Sequence, residues 1–253
     1  TYCPLTGTGI AWHRTIDGTV TEFGVSGLLL KNNLVPYDRQ TDSNWSQMKL
    51  EGLGGPHKNE DLNYLQLIET TWGTWKKLFS ESKIIDLTES AKAYYQENVY
   101  DDYETDHDLI FFPVDNENNT LQAKERIHGV WTGDHARAFL LEGLPIDGFL
   151  GNSEIGDTPV TLWGSSNLNL MVSFRRELED GTRPEMQEIE RDGAVIMKDQ
   201  IGNYYNVFGE VVEGPDTGQK LKRITSYNAY WFAWADFFPQ TGLRFAVTVN
   251  PNR

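Results

Sequence analysis

The one cysteine of the chain, Cys3, lies in Thr1-Tyr2-Cys3-Pro4-Leu5-Thr6-Gly7-Thr8-Gly9, a stretch of small and hydroxyl-bearing residues. Such a stretch favours a turn that exposes backbone N–H groups. Those donors, with the Thr6 hydroxyl, would stabilise a thiolate, the nucleophilic form of sulfur. The opposing reading is a buried, inert cysteine filling a strand position, because free Cys is among the most buried residue types. A second run, Tyr37-Asp38-Arg39-Gln40-Thr41-Asp42-Ser43-Asn44-Trp45-Ser46-Gln47-Met48, offers a carboxylate, a guanidinium, hydroxyls, amides and an indole. Asp38 would order the turn and Arg39 would clamp an anion. Ser43, Trp45 and Gln47 would line a polar binding cleft. Ordinary polar turn chemistry accounts for the same residues.

Metal chemistry finds little purchase. The five histidines form no His-x-x-x-His pair, and Glu104-x-x-His107 and Glu125-x-x-His128 lie outside clear helical patterns. A set of Cys3, His13 and Met48 is an alternative suited to copper, provided three separate segments meet. Asp102, Glu104, Asp106 and Asp108 would face one side of an extended backbone as oxygen ligands for calcium. That run lacks the glycine and the spaced glutamate of a calcium loop, so a solvated acidic segment is expected. There is no nucleophile elbow, Walker loop or dinucleotide fingerprint, and the sequence leaves any cofactor unknown.

Composition narrows the partners. The 253 residues carry 22 Lys+Arg against 37 Asp+Glu, a net charge of −15. Nucleic acid and anionic membranes are disfavoured, because phosphate neutralisation needs a basic surface. No apolar run is long enough to span a bilayer. One cysteine excludes an internal disulfide, so any disulfide chemistry needs an external thiol or redox partner.

The elements that must position these residues follow from an internal repeat. Gly55 and Gly214, Pro56 and Pro215, Leu62 and Leu221, Trp72 and Trp231, Trp75 and Trp234, and Phe79 and Phe238 share an offset of 159 positions. Upstream the offset drifts: Asp17-Gly18 matches Asp180-Gly181, Asp38 matches Asp199, and Trp163 stands where the first unit has Cys3. The expected fold is mainly β with a few helices (α+β). Two pseudo-twofold β units, 1–87 and 159–253, each end in a Trp-rich helix, and an acidic connector and lead-in over 88–158 joins them into one compact domain. The lead-in from Lys124 has no counterpart before Thr1, so a further N-terminal part is expected upstream.

Period-two alternation predicts a strand over 9–16, a hairpin turn at Asp17-Gly18 and a returning strand to Val25 with Thr21, Phe23 and Val25 on one face. Strands follow over 28–37 and 44–50, with Asn32-Asn33 as a turn. Helical spacing joins Ile68, Trp72, Trp75 and Phe79, and likewise Tyr227, Trp231, Trp234 and Phe238, with Ser226 as N-cap. Core packing is the expected role of these tryptophans.

The opening stretch from Thr1 to Gly9 has companions in Phe23-Gly24-Val25-Ser26-Gly27, Asn33-Leu34, Tyr37-Asp38-Arg39-x-Thr41-x-Ser43-x-Trp45-Ser46-Gln47 and Lys124-Glu125-Arg126. Together they resemble the bacterial family catalogued as domain of unknown function 3179. That family includes selenoproteins, whose Cys-Pro-Leu is followed by cysteine or selenocysteine where this chain has Thr6. Its members commonly carry export signals. The resemblance implies thiol or selenol chemistry at Cys3 outside the cytoplasm, in a periplasmic or lipid-anchored protein. Thr6 departs from the two-chalcogen pattern. A one-cysteine mechanism passes through a sulfenic acid or a mixed disulfide resolved by another thiol. The leading expectation is a thiol-dependent redox domain built on Cys3, Thr6 and Arg39. The alternatives are a non-catalytic small-molecule or glycan binding module at Asp38, Ser43, Trp45 and Gln47, and a Cys/His/Met metal protein.

Overall fold

A short hairpin opens the chain, Tyr2–Cys3 against Thr8–Gly9, with Cys3 opposite Thr8. The computed structural model describes residues 1–95, 98–189 and 193–245. The alternating run over 9–16 is not one strand. Ala11–Trp12 pairs with Tyr64–Leu65, whereas Thr15–Ile16 folds back on Thr19–Val20. Each pair of residues changes partner, so the expected common face is lost: Ile10 is buried and Arg14 exposed. The Asp17-Gly18 turn forms as expected, with φ of 47° and 75°. Val25 keeps the pairing register of Phe23 but is 90% exposed, and a bulge follows it before Leu28. The next turn centres on Lys31 and Asn32, one residue earlier than expected, and Asn33 opens a strand.

Two four-stranded antiparallel meanders carry most of the polar motifs. The first runs through Phe23–Leu30, Asn33–Asp38, Asn44–Ser46 and Glu51–Gly54. The second runs through Met186–Gln187, Val195–Asp199, Tyr204–Asn206 and Val211–Glu213. Their backbone hydrogen bonds match at 159 positions' remove. The Leu62 amide donates to the Leu50 carbonyl at 2.7 Å and that of Leu221 to Gly209 at 2.9 Å; Gly52 bonds Glu60 and Val211 bonds Gln219, both at 2.9 Å. Trp75 Nε1 meets Ser82 and Trp234 Nε1 meets Thr241, again both at 2.9 Å.

Two further sheets fill the body. One orders Thr225–Tyr230, Arg126–Trp131, Ala136–Leu140 and Gly242–Phe245; the other orders Phe149–Ile155, Thr158–Ser165, Leu170–Leu178 and Leu221–Arg223. The helix Trp72–Leu78 is capped by Thr71 Oγ1, which accepts from the Thr74 amide. Its counterpart Trp231–Phe237 starts from Tyr230 with no side-chain cap. Ser226 and Tyr227 lie on the preceding strand, so the expected N-cap and first turn are extended chain. Trp231 and Trp234 are fully buried, as core packing requires, whereas Trp72 is 49% exposed. Gly129 makes room for Trp234: a Cβ there would lie 2.2 Å from the indole.

The connector is tied to the core at a few buried anchors, while its acidic residues stay largely at the surface. Asp101–Thr105 is helical, which removes the one-sided carboxylate row expected of an extended run. The buried Lys124 ammonium donates to the carbonyls of Tyr103, Asp106 and Leu109 and sits over the Tyr103 ring. Asp236, on the Trp helix, accepts from Lys31 Nζ at 2.9 Å and from the Asn116 amide at 3.0 Å. No helix among the described residues is long and apolar enough to cross a membrane.

Candidate functional site

Cys3 is 1% exposed, and its sulfur is placed as a donor to the Asn32 carbonyl at 3.8 Å. The connector closes over this hairpin. The Asn32 amide donates to the carbonyls of Phe112 and Pro113, and Tyr103 Oη donates to the Leu5 carbonyl at 2.8 Å. Thr6 is fully buried and its hydroxyl bonds Thr8 and Asn33, both at 2.9 Å. Thr8 Oγ1 donates to Gln47 Oε1 at 2.7 Å, and Gln47 Nε2 donates to Thr1 Oγ1 at 3.0 Å. The result is a neutral, mutually satisfied network that pins the Cys-Pro-Leu-Thr loop. Arg126 completes the anchoring through the Gly7 carbonyl and Glu69.

In the run from Tyr37 to Gln47, Asp38, Ser43, Trp45 and Gln47 are all buried. Asp38 Oδ1 accepts from the Thr41 amide at 2.7 Å, and Oδ2 accepts from Trp45 Nε1 at 3.2 Å. Burial pushes the Asp38 carboxyl up, but the donors of Thr41, Trp45 and Gln40 outweigh it and hold the group below the usual carboxylate range. Ser43 is buried, accepting from the His57 amide, and Trp45 is buried against Phe23 and His57. Arg39 is exposed and donates to Tyr37 Oη at 2.9 Å. Asp199 repeats the Asp38 turn, with Tyr205 Oη in place of the indole at 2.8 Å. A turn scaffold explains both. Nor do Cys3, His13 and Met48 gather into a metal set: His13 is exposed and backbone-bonded to Asn63, and Met48 lies in the main core.

An open cleft of about 350 Å³ lies elsewhere, where the first meander meets the two larger sheets. Lys49, Asp61, Tyr64, Trp131, Arg175 and Arg223 are among its lining residues. The Lys49 ammonium sits 4.1 Å from the Phe238 ring centroid and 4.9 Å from that of Trp131. Among the described residues no carboxylate lies within ion-pair distance of it, though the Glu51 charge acts on it from further away. Burial, the larger cause, holds its pKa below the ordinary lysine value. Leu50 beside it has φ of 56°, a left-handed conformation that costs a leucine of order 1 kcal/mol. The matching position in the second meander is Gly209, at φ of 75°, for which this conformation is free. Leu50 belongs to the main core and forms part of the cleft wall.

A third constellation is buried. His128 Nδ1 bonds Asn228 Oδ1 at 3.0 Å, and Nε2 bonds Ser173 Oγ at 2.9 Å. With the amide oxygen accepting, Nδ1 carries the proton and Nε2 accepts from the serine. This is the order of a nucleophile relay, but Ser173 is fully buried, and the group joins two sheets instead. Burial pushes the His128 pKa down to about 4, against a partial rise from Asn228. Between pH 4 and 6.5 the unfolded chain therefore takes up a proton that the native chain refuses. The stability is complete above pH 6.5 and falls by about 3 kcal/mol as the pH drops to 4. Urea midpoints over that range should show the decline, and His128→Gln should remove that part of it.

The family model described as "Protein of unknown function (DUF3179)" matches residues 1–241. The chain belongs to this family. No curated protein and no solved structure matches it. The polar motifs of this DUF3179 chain named above from the sequence are thereby placed. Cys3, Thr6 and Gln47 share one buried hairpin environment, Asp38, Ser43 and Trp45 share one turn, and Arg39 stands apart in solvent. Lys49, Leu50 and Arg223 escaped the motif search. The exchange of Gly209 for Leu50 at the repeat offset was the visible signal, because a leucine where the other copy uses glycine marks a position with a special requirement.

Proposed function

We propose that this DUF3179 domain binds a small anionic ligand with an apolar or planar body in the Lys49–Trp131–Arg223 cleft. The carrying observation is the half-buried Lys49 ammonium, held against two aromatic faces with no carboxylate at ion-pair distance among the described residues, Glu51 acting on it only from further away. A cation so placed in a chain of net charge −15 creates a local positive potential that a carboxylate would satisfy. Arg175 and Arg223 add charge at the rim, and Trp131 and Tyr64 add stacking surface. A thiol role for Cys3 has weaker support, since the sulfur faces a carbonyl beneath the connector. The binding reading keeps the domain non-catalytic, and we place it outside the cytoplasm on the strength of the family resemblance alone.

The test is a titration of the labelled protein, followed by NMR, with glucuronate, benzoate, phosphate and neutral glucose. Saturable shifts at Trp131 with a carboxylate are expected, and Lys49→Gln should weaken them about tenfold, the loss of one charge-assisted bond. Arg39→Ala should leave them unchanged. Absence of saturation with every anion, or an unaltered affinity in Lys49→Gln, would refute the reading.

We further propose that 1–87 and 159–253 are two copies of one unit related by a pseudo-twofold axis. The matched bonds of Leu62 and Leu221, and of Trp75 and Trp234, support it.

A further inference from the structure

The geometry points to a divalent-cation site, of the zinc type, formed by Asp17 Oδ2, His57 Nδ1 and Glu60 Oε2. These three ligand atoms lie within 4.8 Å of one another. His57 Nδ1 is 2.8 Å from Glu60 Oε2 and 3.7 Å from Asp17 Oδ2. A tetrahedral ion with bonds of about 2.0–2.1 Å holds its ligands about 3.3 Å apart, so small rotations of the two carboxylates suffice. One imidazole and two carboxylates suit zinc or another first-row divalent ion, with water in the remaining position.

The parts come from two separate turns. Asp17 sits at the tip of the Thr15–Val20 hairpin, and its φ of 47° belongs to the turn itself. His57 and Glu60 come from the turn over 55–60, where the Glu60 amide bonds the His57 carbonyl. The imidazole is already oriented, because it stacks on Trp45 at 5.7 Å with its plane 23° away and its own amide bonds Ser43. Its side chain is 11% exposed while both carboxylates reach solvent, so an ion has a path in.

The second half of the chain supplies the contrast. There the Asp-Gly tip residue is Asp180, and the residue 159 positions after Glu60 is Gln219. Gln219 Nε2 donates directly to Asp180 Oδ2 at 3.2 Å and closes the same two turns with a neutral amide. Asp216 stands in place of His57 and turns inward to Asn203. The first half replaces that donor with a second carboxylate. Two facing carboxylates repel unless a cation lies between them. His57 is the ligand that the exchange adds at this point. Binding at Nδ1 would replace the contact that now bridges to Glu60 and would leave the imidazole proton on Nε2.

Calorimetric titration of chelator-treated protein with Zn²⁺, and with Co²⁺ followed by its visible absorption, tests the site. One ion per chain is expected, with a rise in Tm. Asp17→Asn and Glu60→Gln should each weaken binding at least tenfold, in line with loss of one directly coordinating group. Glu60→Gln recreates the amide found at Gln219, so the metal-free variant should keep its fold and its Tm. Asp180→Asn should bind as the wild type does. No saturable binding of either ion would overturn the assignment, as would binding that is unchanged in both Asp17→Asn and Glu60→Gln.

Discussion

Lys124→Met should lower the stability by about 3 kcal/mol and open the connector to proteolysis. The lysine ammonium meets three backbone carbonyls, with Asp106 and Leu109 each at 2.7 Å. Methionine keeps most of the apolar stem and removes the charge, leaving those carbonyls buried without a donor. A hydrogen bond to a charged group contributes about 1.5–3 kcal/mol, and part of the sum is returned because no ammonium need then be desolvated. Burial already holds the Lys124 pKa below its ordinary value, with Asp106 opposing, so that desolvation is felt. Urea denaturation gives the stability, and limited proteolysis between 98 and 123 reports the connector. A change below 1 kcal/mol would mean that desolvation cancels all three bonds.

The companion result is expected at the other anchor. Asp236→Ala should cost about 3–5 kcal/mol, the usual penalty for removing one partner of a buried ion pair. Asp236 is 1% exposed, and Oδ1 receives Lys31 Nζ at 2.9 Å and both nitrogens of Asn116, while Oδ2 receives the Asp115 amide. Alanine would leave the Asp115 and Asn116 backbone amides without this acceptor, while Lys31 Nζ would keep the residue-236 carbonyl at 2.9 Å and the exposed Asp115 at 3.6 Å. For a chain of this size the Tm should fall by about 10 °C. Asp236→Asn keeps the shape and one acceptor and should lose about half as much. A double-mutant cycle with Lys31→Met separates the pair from the amide contacts, because neighbours that share a partner are not additive.

Neither anchor is visible in the connector's own sequence. Its acidic residues carry the composition of a solvated loop, and Asp102 to Asp108 do lie largely at the surface. Nothing local announces that Lys124 and Asp236 reach into it. The tryptophan segments show the complementary limit. Spacing of three and four residues identified Trp231 and Trp234 as core, yet it also drew Tyr227 into a helix. Tyr227 is on a strand, where its hydroxyl donates to the Met48 carbonyl at 2.7 Å. Extended and helical chain both bury a tyrosine at that point, and the partner strand decides between them.

The Cys-Pro-Leu-Thr and Tyr-Asp-Arg motifs teach a similar lesson. The structure uses most of their side chains to hold turns. Asp38 was legible as scaffold because Asp199 stands at the corresponding place, and both carboxylates cap their turns. Thr6 and Gln47 were not, because their partners Thr8 and Asn33 become neighbours only when the opening hairpin packs on the first meander.

Interactions within a few residues were therefore set by the sequence alone: the Asp17-Gly18 turn, the Asp38 turn and the mainly β character. Each depends on backbone preference or a side chain bonding its own neighbourhood. Only tertiary structure decided the cleft, the cation triad and the anchors. Lys31 and Asp236 are 205 residues apart, and Met48 and Tyr227 are 179 apart. Such contacts depend on how sheets stack, and a surface turn and a buried one draw on the same polar residues until the packing distinguishes them.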